Sequence, residues 1–308
     1  MPDARRILAI DAGQTGIRTV VVEADGSRGE EREFPGIRTD TPLIPQLADV
    51  VARVAADGNI DTVSVGSTGL TVAETDPAGL RDASAASGVT TAYLAHDSIT
   101  SYLGALGNER GVVVAAGTGV VTLAVGATEV ARVDGWGYLM GDAGSGFWIG
   151  RAALEAVMRG HDGRGPATAL TEFARAEFVD LEQAYIELQS DAGRVRRIAG
   201  YARWVSETAD TDAVSARISA DAAAELVVSV ATGLRRVGEG ESTAPIVCGL
   251  GGVLRSPAIA SAFVSGLSSM WPQVDIRTTR GSGLDGAALL PSIDTSSALH
   301  PLIASSAG

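Results

Sequence analysis

Short apolar runs alternate with turn residues and with amphipathic stretches along the chain. The runs are rich in valine, isoleucine and alanine, as buried strands are, whereas apolar residues three and four positions apart indicate helices. In the first third, this pattern predicts strands at 6–12, 19–23, 61–66 and 91–95 and helices at 42–56 and 98–106.

The strand pattern starts again near residue 111. Strands are predicted at 111–116, 120–125 and 129–133, and here too a glycine-rich turn follows the first strand, so we predict a structural repeat. The remaining elements are a mostly helical segment at 145–238, a strand at 245–248, a helix from 256, a strand at 274–277 and a helix at 284–290. Strands and helices that alternate at this spacing predict parallel α/β sheets.

Charge and cysteine content narrow the classes of function. The chain has 308 residues, a net charge of −13 and a pI of about 4.7. Such an acidic protein is not expected to bind nucleic acid or an anionic membrane. One cysteine, Cys248, and three histidines argue against a disulfide framework and against a zinc site. The sequence shows neither a signal peptide nor an apolar run of membrane-spanning length, so we expect a cytoplasmic protein.

Lysine is missing from the sequence, and arginine supplies the basic residues other than histidine. P-loop NTPases and protein kinases need a lysine at their phosphate site, so both classes are excluded. A nucleotide would therefore have to be held by backbone N–H groups, a metal ion and arginine.

Two glycine-threonine turns are the first candidates for such a site. DAGQTG places Asp11 at the end of a predicted strand, where α/β sheets bind ligands, and its turn offers N–H groups and a hydroxyl. AAGTGVV repeats the arrangement at 117–119. Each turn alone could be an ordinary hairpin. Together they could hold a polyphosphate from two sides, with Mg²⁺ between the phosphates and Asp11.

Three other segments carry polar or glycine-rich chemistry. Asp97 precedes a predicted helix, where it could be an ordinary N-cap or a general base. DGWGYLMGDAGSGFWIG, at 134–150, is a dense glycine loop in which Asp142 could bind sugar hydroxyls or end a turn, and we assign Trp136 and Trp148 to the core. CGLGGV would let a flat ligand lie against the backbone. The arginine-rich GRVRRIAGYARW is interpreted as a solvated helix face.

In order and spacing, these segments resemble the ATP-binding core shared by sugar kinases, actin and the heat-shock ATPases. DAGQT resembles the first phosphate loop, GTG the second and CGLGGV the adenosine loop. More narrowly, the chain is similar to the N-acetylglucosamine kinase branch of the BadF/BadG/BcrA/BcrD ATPases, whose GWGxxxGDEGSxxWIG pattern matches GWGYLMGDAGSGFWIG. The resemblance runs from about Leu8 to Leu290.

This resemblance implies an α/β fold of two RNase H-like domains of the actin ATPase type, which flank an ATP cleft. The first domain is expected at 1–106, with the last helix, at 284–308, packed back on it. The second is expected at 107–283, with the helical segment at about 145–238 as an insertion.

The same resemblance implies an ATP- and Mg²⁺-dependent sugar kinase that phosphorylates a hydroxyl of an amino sugar, with N-acetylglucosamine or glucosamine as first candidates. Asp97 would be the catalytic base, and Asp11 would hold the metal through water. The other implied groups are Gly13, Gln14, Thr15, Gly117, Thr118 and Gly119 for the ATP phosphates, Gly251 and Gly252 for adenosine, and Asp142, Thr68 and Gly137 for the sugar. A homodimer is compatible with the resemblance.

Some positions depart from the pattern of the family. Gln14 stands where the family usually has glycine, and Ala143 replaces an acidic residue near the substrate. Val120 and Val121 replace a serine and an asparagine. These changes remove polar groups from the expected sugar side. Two alternatives therefore stay open: an ATPase that acts as a conformational switch on a protein partner, and a sugar-binding relative with altered catalysis.

Overall fold

A computed structural model describes residues 5–38, 40–71, 74–277 and 281–306. The chain divides into two compact units. The first comprises the described residues of 1–110 and 278–308, and the second comprises 111–277. The boundaries expected from the sequence, at 106/107 and 283/284, differ from these by four and six residues.

The first unit contains a mixed sheet in the order β11-β5-β4-β1-β2-β3. Antiparallel pairing joins β1, β2 and β3, parallel pairing joins β1 to β4 and β4 to β5, and β11 is antiparallel to β5. The strands are β1 (Ile7–Ala12), β2 (Ile17–Val22), β3 (Arg32–Phe34), β4 (Thr62–Ser67), β5 (Thr91–His96) and β11 (Ala304–Ser305).

Helices cover the sheet of the first unit because its strands are apolar on both faces. They are α1 (Leu43–Ala55), α2 (Pro77–Ala83), α3 (Asp97–Leu106) and α10 (Gly283–Leu289). One face of β1 packs with α1 through Leu8 and Leu47, and the other packs with α10 through Ala9 and Leu284. These layers hold the carboxyl ends of β1, β4 and β5 in fixed register.

The second unit has a five-stranded sheet in the order β10-β9-β6-β7-β8, which repeats the order β5-β4-β1-β2-β3 of the first unit. Its hairpin strands are again antiparallel, and β6, β9 and β10 are parallel. The strands are β6 (Gly111–Ala116), β7 (Val120–Val125), β8 (Val130–Val133), β9 (Ile246–Leu250) and β10 (Asp275–Arg277). The predicted structural repeat is thus present in the strand topology.

Six helices among the described residues pack on and beside this second sheet. They are α4 (Gly146–His161), α5 (Leu170–Glu177), α6 (Ala184–Ser190), α7 (Arg194–Thr208), α8 (Ala213–Arg236) and α9 (Pro257–Met270). The core joins β6 to α4, α8 and α9 through Val114, Ile149, Leu226 and Phe263. No helix in the described ranges combines the length and apolar character that a bilayer crossing demands.

Candidate active site

The first glycine-threonine turn closes on itself and is supported from behind. The N–H of Gly13 donates to the carbonyl of Gly16 at 3.0 Å, and the N–H of Ile37 donates to the carbonyl of Gly13 at 3.0 Å. Gln14 and Thr15 are exposed at the tip. Within the described residues their N–H groups have no hydrogen-bond partner. Gln14 and Thr15 therefore present the donors of this turn, whereas the N–H of Gly13 is used in forming it.

Gly36 permits this support, a role that no local sequence pattern predicts. A Cβ atom at Gly36 would lie 2.1 Å from the carbonyl oxygen of Gln14. Only a glycine lets the chain that follows β3 pass so close behind the turn.

The second turn repeats this construction in the second unit. The N–H of Gly117 donates to the carbonyl of Gly119 at 2.8 Å. The first turn of α4 then binds the back of this turn, because the N–H groups of Gly146 and Phe147 donate to the carbonyls of Gly117 and Thr118 at 2.7 and 3.0 Å. The N–H groups of Thr118 and Gly119 have no partner in the described part of the chain. Such paired N–H groups suit an anion.

A cavity of about 680 Å³ lies within the second unit, beside this turn. Gly117 and Thr118 form one part of its wall, and Gly252, in the loop after β9, forms another. Two segments that the sequence assigned separately to phosphate and to adenosine thus border one cavity. Its volume is in the range of pockets that hold a ligand of nucleotide size.

Helix α7 forms a further wall of the cavity, which the sequence interpretation missed. Arg196 and Arg203 are exposed, as expected of a solvated helix face, but they also line the cavity together with Arg255. Arg203 pairs with Glu207 at 2.7 Å. Among the described residues, Arg196 and Arg255 have no charged partner. The cavity is therefore lined by three arginines and one glutamate in a protein whose net charge is −13.

The loop after β9 contributes in two different ways. Gly251 has a φ of +97°, and a Cβ atom there would lie 2.3 Å from the carbonyl of Ala116 at the end of β6, so its part is a close backbone approach. Gly252 lines the cavity itself. Ser256, the N-cap residue of α9, also lines it, and its buried hydroxyl has no partner among the described residues. A buried hydroxyl without a partner is costly unless a ligand or water satisfies it.

Asp97 lies in the first unit, at the start of α3. Its Oδ1 is 2.8 Å from Nδ1 of His96, and the carboxyl also accepts hydrogen bonds from the Thr68 hydroxyl and from the N–H of Ser98. Burial acts to raise its pKa, but the hydrogen bond and charge of His96, with the other two donors, hold the pKa of Asp97 below its usual range. Asp97 is thus ionised at neutral pH and 35% exposed, as an accessible base must be.

The ordinary interpretation of Asp97 as an N-cap is wrong. His96 is the N-cap residue of α3, with an extended backbone and its Nδ1 3.2 Å from the backbone nitrogen of Ser98, and Asp97 is the first helical residue. Thr68, which follows β4, is anchored through its N–H to the carbonyl of Ala12 at 3.0 Å. The structure therefore brings together Asp97 and one predicted sugar residue, Thr68.

Asp11, the predicted metal residue, already has a cationic partner. Its Oδ2 accepts a hydrogen bond of 2.6 Å from Arg18, and its side chain lies near the backbone of Gly283. The described residues contain no group of three acidic, histidine or cysteine side chains that could hold a metal ion. A metal role for Asp11 therefore stays a prediction, in which one carboxylate oxygen would orient water around an ion held mainly by phosphate.

The glycine-rich loop of the second unit is organised by Asp134, which sequence reasoning overlooked. Its carboxylate accepts from the N–H groups of Gly135, Asp142 and Ala143 at 2.7, 2.8 and 2.9 Å. Both Asp134 and Asp142 have positive φ, at 58° and 60°. A signal was present in the sequence, since an aspartate beside a glycine is a common turn residue.

Asp142 is buried within this loop, with 8% of its surface exposed. Its carboxylate accepts from the N–H of Gly137 at 3.2 Å and from the N–H of Val120. Burial raises the pKa of Asp142, and the charge of Asp134 adds to the effect, while the Gly137 N–H opposes it. The predicted sugar residues Asp142 and Gly137 are thus bonded to each other, and a sugar contact at Asp142 stays a prediction.

The tryptophans of this loop differ in burial. Trp148 packs against the core as predicted. Trp136 does not, because it is 58% exposed, with the Arg132 guanidinium 5.0 Å from its ring centre.

Comparison with known proteins decides the family. The BadF/BadG/BcrA/BcrD ATPase family matches residues 8–290. This chain belongs to that family. The resemblance drawn from the motifs is therefore confirmed.

Two curated relatives match part of the chain. It is 30% identical over 193 residues to an N-acetyl-D-glucosamine kinase of Dictyostelium discoideum, which covers 61% of this chain and 60% of the relative. It is 28% identical over 201 residues to an N-acetylmuramic acid/N-acetylglucosamine kinase of Clostridium acetobutylicum, covering 63% and 65%. The chain thus spans less than two thirds of the length of either relative.

Solved structures share the fold of this family member. A candidate N-acetylglucosamine kinase from Chromobacterium violaceum has a TM-score of 0.68 at 22% identity, covering 94% of this chain and 99% of that one. A ROK family glucokinase from Streptomyces griseus, solved with glucose and AMPPNP, has a TM-score of 0.56 at 16% identity, covering 92% and 98%. The predicted fold class, mixed α/β with two sheets of the actin-like sugar kinase type, is confirmed.

Proposed function

We propose that this protein is an ATP-dependent sugar kinase that transfers the γ-phosphate to a hydroxyl of an amino sugar, with N-acetylglucosamine or glucosamine as the first substrates to test. The observation that carries the proposal is the cavity bordered by the second glycine-threonine turn, Gly252 and the arginines of α7 and of the loop after β9. Family membership supports ATP as the phosphate donor. The names of the two curated relatives support the amino sugar.

Adenosine and part of the triphosphate would occupy this cavity. The N–H groups of Thr118 and Gly119 would donate to phosphate oxygens. Those of Gln14 and Thr15 are the proposed phosphate donors of the first unit. Arg196 and Arg255 would supply the positive charge that lysine provides in other nucleotide sites. Ser256 would offer its buried hydroxyl to the nucleoside.

Asp97 would act as the general base. Its carboxylate is ionised, accessible and held by three donors, so it can orient the acceptor hydroxyl and take its proton as the oxygen attacks the γ-phosphorus. The protein forms no covalent bond to the substrates in phosphoryl transfer. Most of the rate enhancement would therefore come from orienting the reactants and neutralising phosphate charge.

Mg²⁺ would neutralise phosphate charge when bound, and Asp11 is the residue that would hold it through water. Thr68, Asp142 and Gly137 remain the proposed sugar residues. Thr68 is the best supported of them because its hydroxyl already contacts Asp97. We propose a cytoplasmic enzyme whose partner is the small-molecule sugar.

The deciding experiment is ADP release from Mg²⁺-ATP, measured over a panel of amino sugars and hexoses. We expect turnover with an amino sugar and little without one. Asp97→Asn should lose transfer by at least about 100-fold while ATP still binds. Hydrolysis that is independent of any sugar would overturn the kinase in favour of the conformational switch. Sugar binding without turnover would indicate a relative with altered catalysis.

Nucleotide binding is tested separately, by titration of each variant with ATP. Arg196→Ala and Arg255→Ala should each raise the ATP Kd by about 5–50-fold, the effect of losing a charge-assisted hydrogen bond. Arg217→Ala is the matched control, because Arg217 lies on α8 in the same unit, is 85% exposed and does not line the cavity. Equal effects of all three substitutions would contradict the assignment of the cavity to the nucleotide.

A further inference from the structure

His96 is the residue closest to the proposed base, and nothing in the proposed reaction has yet used it. It ends β5 directly before Asp97, and 31% of its side chain is exposed. Its Nδ1 lies 2.8 Å from Oδ1 of Asp97, 2.9 Å from the hydroxyl oxygen of Ser98 and 3.2 Å from the backbone nitrogen of Ser98. Three polar groups thus converge on a single ring nitrogen.

One nitrogen cannot serve the carboxylate and the backbone N–H together. If Nδ1 carries a hydrogen, it donates to Oδ1 of Asp97; if it carries only its lone pair, it accepts from Ser98 and caps the helix. The contact with the carboxylate is the shortest of the three and is of the charge-assisted kind, which is the stronger class. A bare lone pair facing an ionised carboxylate at that distance would be repulsive. Geometry therefore favours the hydrogen on Nδ1.

We propose that His96 is a positioning residue for the phosphoryl transfer described above. Its Nδ1–H donates to Oδ1 of Asp97 and fixes the carboxylate, which leaves Oδ2 as the atom that takes the proton of the acceptor hydroxyl. That hydroxyl oxygen forms the new bond to the γ-phosphorus, the bond from the γ-phosphorus to the bridging oxygen breaks, and ADP leaves. This inference rests on the proposed kinase function.

Among the groups that contact the Asp97 carboxyl, His96 is the one suited to this positioning role. From the segment after β4 the carboxyl is contacted by Thr68, and from α3 by the N–H of Ser98, and neither group titrates at neutral pH. His96 is the titratable partner of the carboxyl among the described residues. A residue needed only as a cap would be expected to be serine, threonine, aspartate or asparagine, which cap better than histidine.

Two substitutions separate the capping role from the positioning role. His96→Asp and His96→Asn both supply a good N-cap, but only asparagine can also donate to Asp97. We expect His96→Asp to lower kcat by about 10–100-fold, while the sugar KM stays within about twofold of wild type. The acid limb of the pH profile should move to higher pH, because two carboxylates become neighbours. His96→Asn should stay within about fivefold of the wild-type kcat. His161→Asp and His161→Asn are the controls, since His161 contacts Glu182 in the second unit.

Wild-type kcat in His96→Asp, or equal losses in His96→Asp and His96→Asn at unchanged Tm, would overturn the proposal. A readout that needs no activity is the ¹⁵N spectrum of the histidine rings, recorded at the alkaline end of a pH titration, with His96 assigned by replacing the other two histidines. The proposal expects the hydrogen of neutral His96 on Nδ1. A hydrogen found on Nε2 would overturn it even if the kinase function holds. Absence of sugar turnover with the hydrogen on Nδ1 would overturn the kinase function, and of the inference only the hydrogen bond from His96 to Asp97 would remain.

Discussion

The carboxylate of Asp11 accepts a hydrogen bond of 2.6 Å from Arg18, the residue directly opposite it on β2. The pair stands where the first strand ends, immediately before the turn that carries Gln14 and Thr15. Both side chains are partly exposed, with 23% and 41% of their surface accessible. Such a pair adds little to stability. Its place beside a candidate phosphate turn is therefore better explained by an electrostatic role at that turn.

We predict that Asp11→Asn will raise the Mg²⁺ concentration needed for half-maximal activity by about tenfold. The reason is that an amide binds a hydrated cation less strongly than a carboxylate does. The free energy of unfolding should change by less than about 1 kcal/mol, since the ion pair is exposed. A Mg²⁺ titration of ADP release, with thermal unfolding of the same variant, checks both statements.

Glu23→Gln is the control for the Asp11 variant. Glu23 pairs with Arg6 at 2.9 Å in the same unit, so its replacement removes a similar ion pair away from the turn. An unchanged Mg²⁺ requirement in Asp11→Asn, or the same increase in both variants, would contradict the assigned role of Asp11.

We also predict that Asp134→Ala will lower the free energy of unfolding of the second unit by about 2–4 kcal/mol. Its carboxylate satisfies three backbone N–H groups, and alanine would leave them without an acceptor. Chemical denaturation followed by circular dichroism measures the loss. Asp134→Asn, which retains one acceptor oxygen, should lose less, and a wild-type midpoint in Asp134→Ala would show that the loop does not depend on this carboxylate.

Local sequence signals predicted the two turns but not what surrounds them. Gly13 and Gly117 were recognisable because each follows an apolar run and precedes a threonine within two residues. The donors of Asp134 lie up to nine residues along the chain, and Gly36 meets the turn only after β3 has brought it back. Such contacts form between segments that the tertiary fold brings together. The periodicity of apolar residues within one segment cannot predict them.

The arginines of α7 also show that local sequence patterns do not predict contacts between distant segments. An arginine-rich helix is usually solvated, and Arg196 and Arg203 are indeed exposed. They line a cavity only because α7 packs along α4, whose first turn binds the second glycine-threonine turn. Edge strand β3 was missed for a related reason, since two of its three residues are exposed and give no apolar signal.

Close helix packing in the first unit leads to a third prediction, Gly104→Ala. A Cβ atom at Gly104 on α3 would lie 1.9 Å from the carbonyl oxygen of Ser282, and one at Gly286 on α10 would lie 1.7 Å from the carbonyl oxygen of Thr100. The backbones must move apart to admit a methyl group, so we expect a loss of about 1–3 kcal/mol or more in urea unfolding. Gly200→Ala is the control, because Gly200 lies inside α7 with no atom within 4 Å of an added Cβ, and should gain about 0.5–1 kcal/mol.

The last prediction concerns Cys248, the single cysteine of the chain. It lies on β9 between Val113 of β6 and Arg277 of β10, is fully buried, and has a pKa raised by that burial. A thiol that is both covered and protonated reacts slowly with a disulfide reagent, so labelling of the native protein should require local opening of the second sheet.

Because β9 leads directly into the Gly251–Gly252 loop, saturating ATP should slow labelling by at least about tenfold if the cavity binds the nucleotide. The Arg255→Ala variant should show a smaller protection at the same ATP concentration, and Arg217→Ala should show the full effect. Protection that is equal in all three proteins would place the nucleotide elsewhere, and rapid labelling without ATP would show that this strand opens readily.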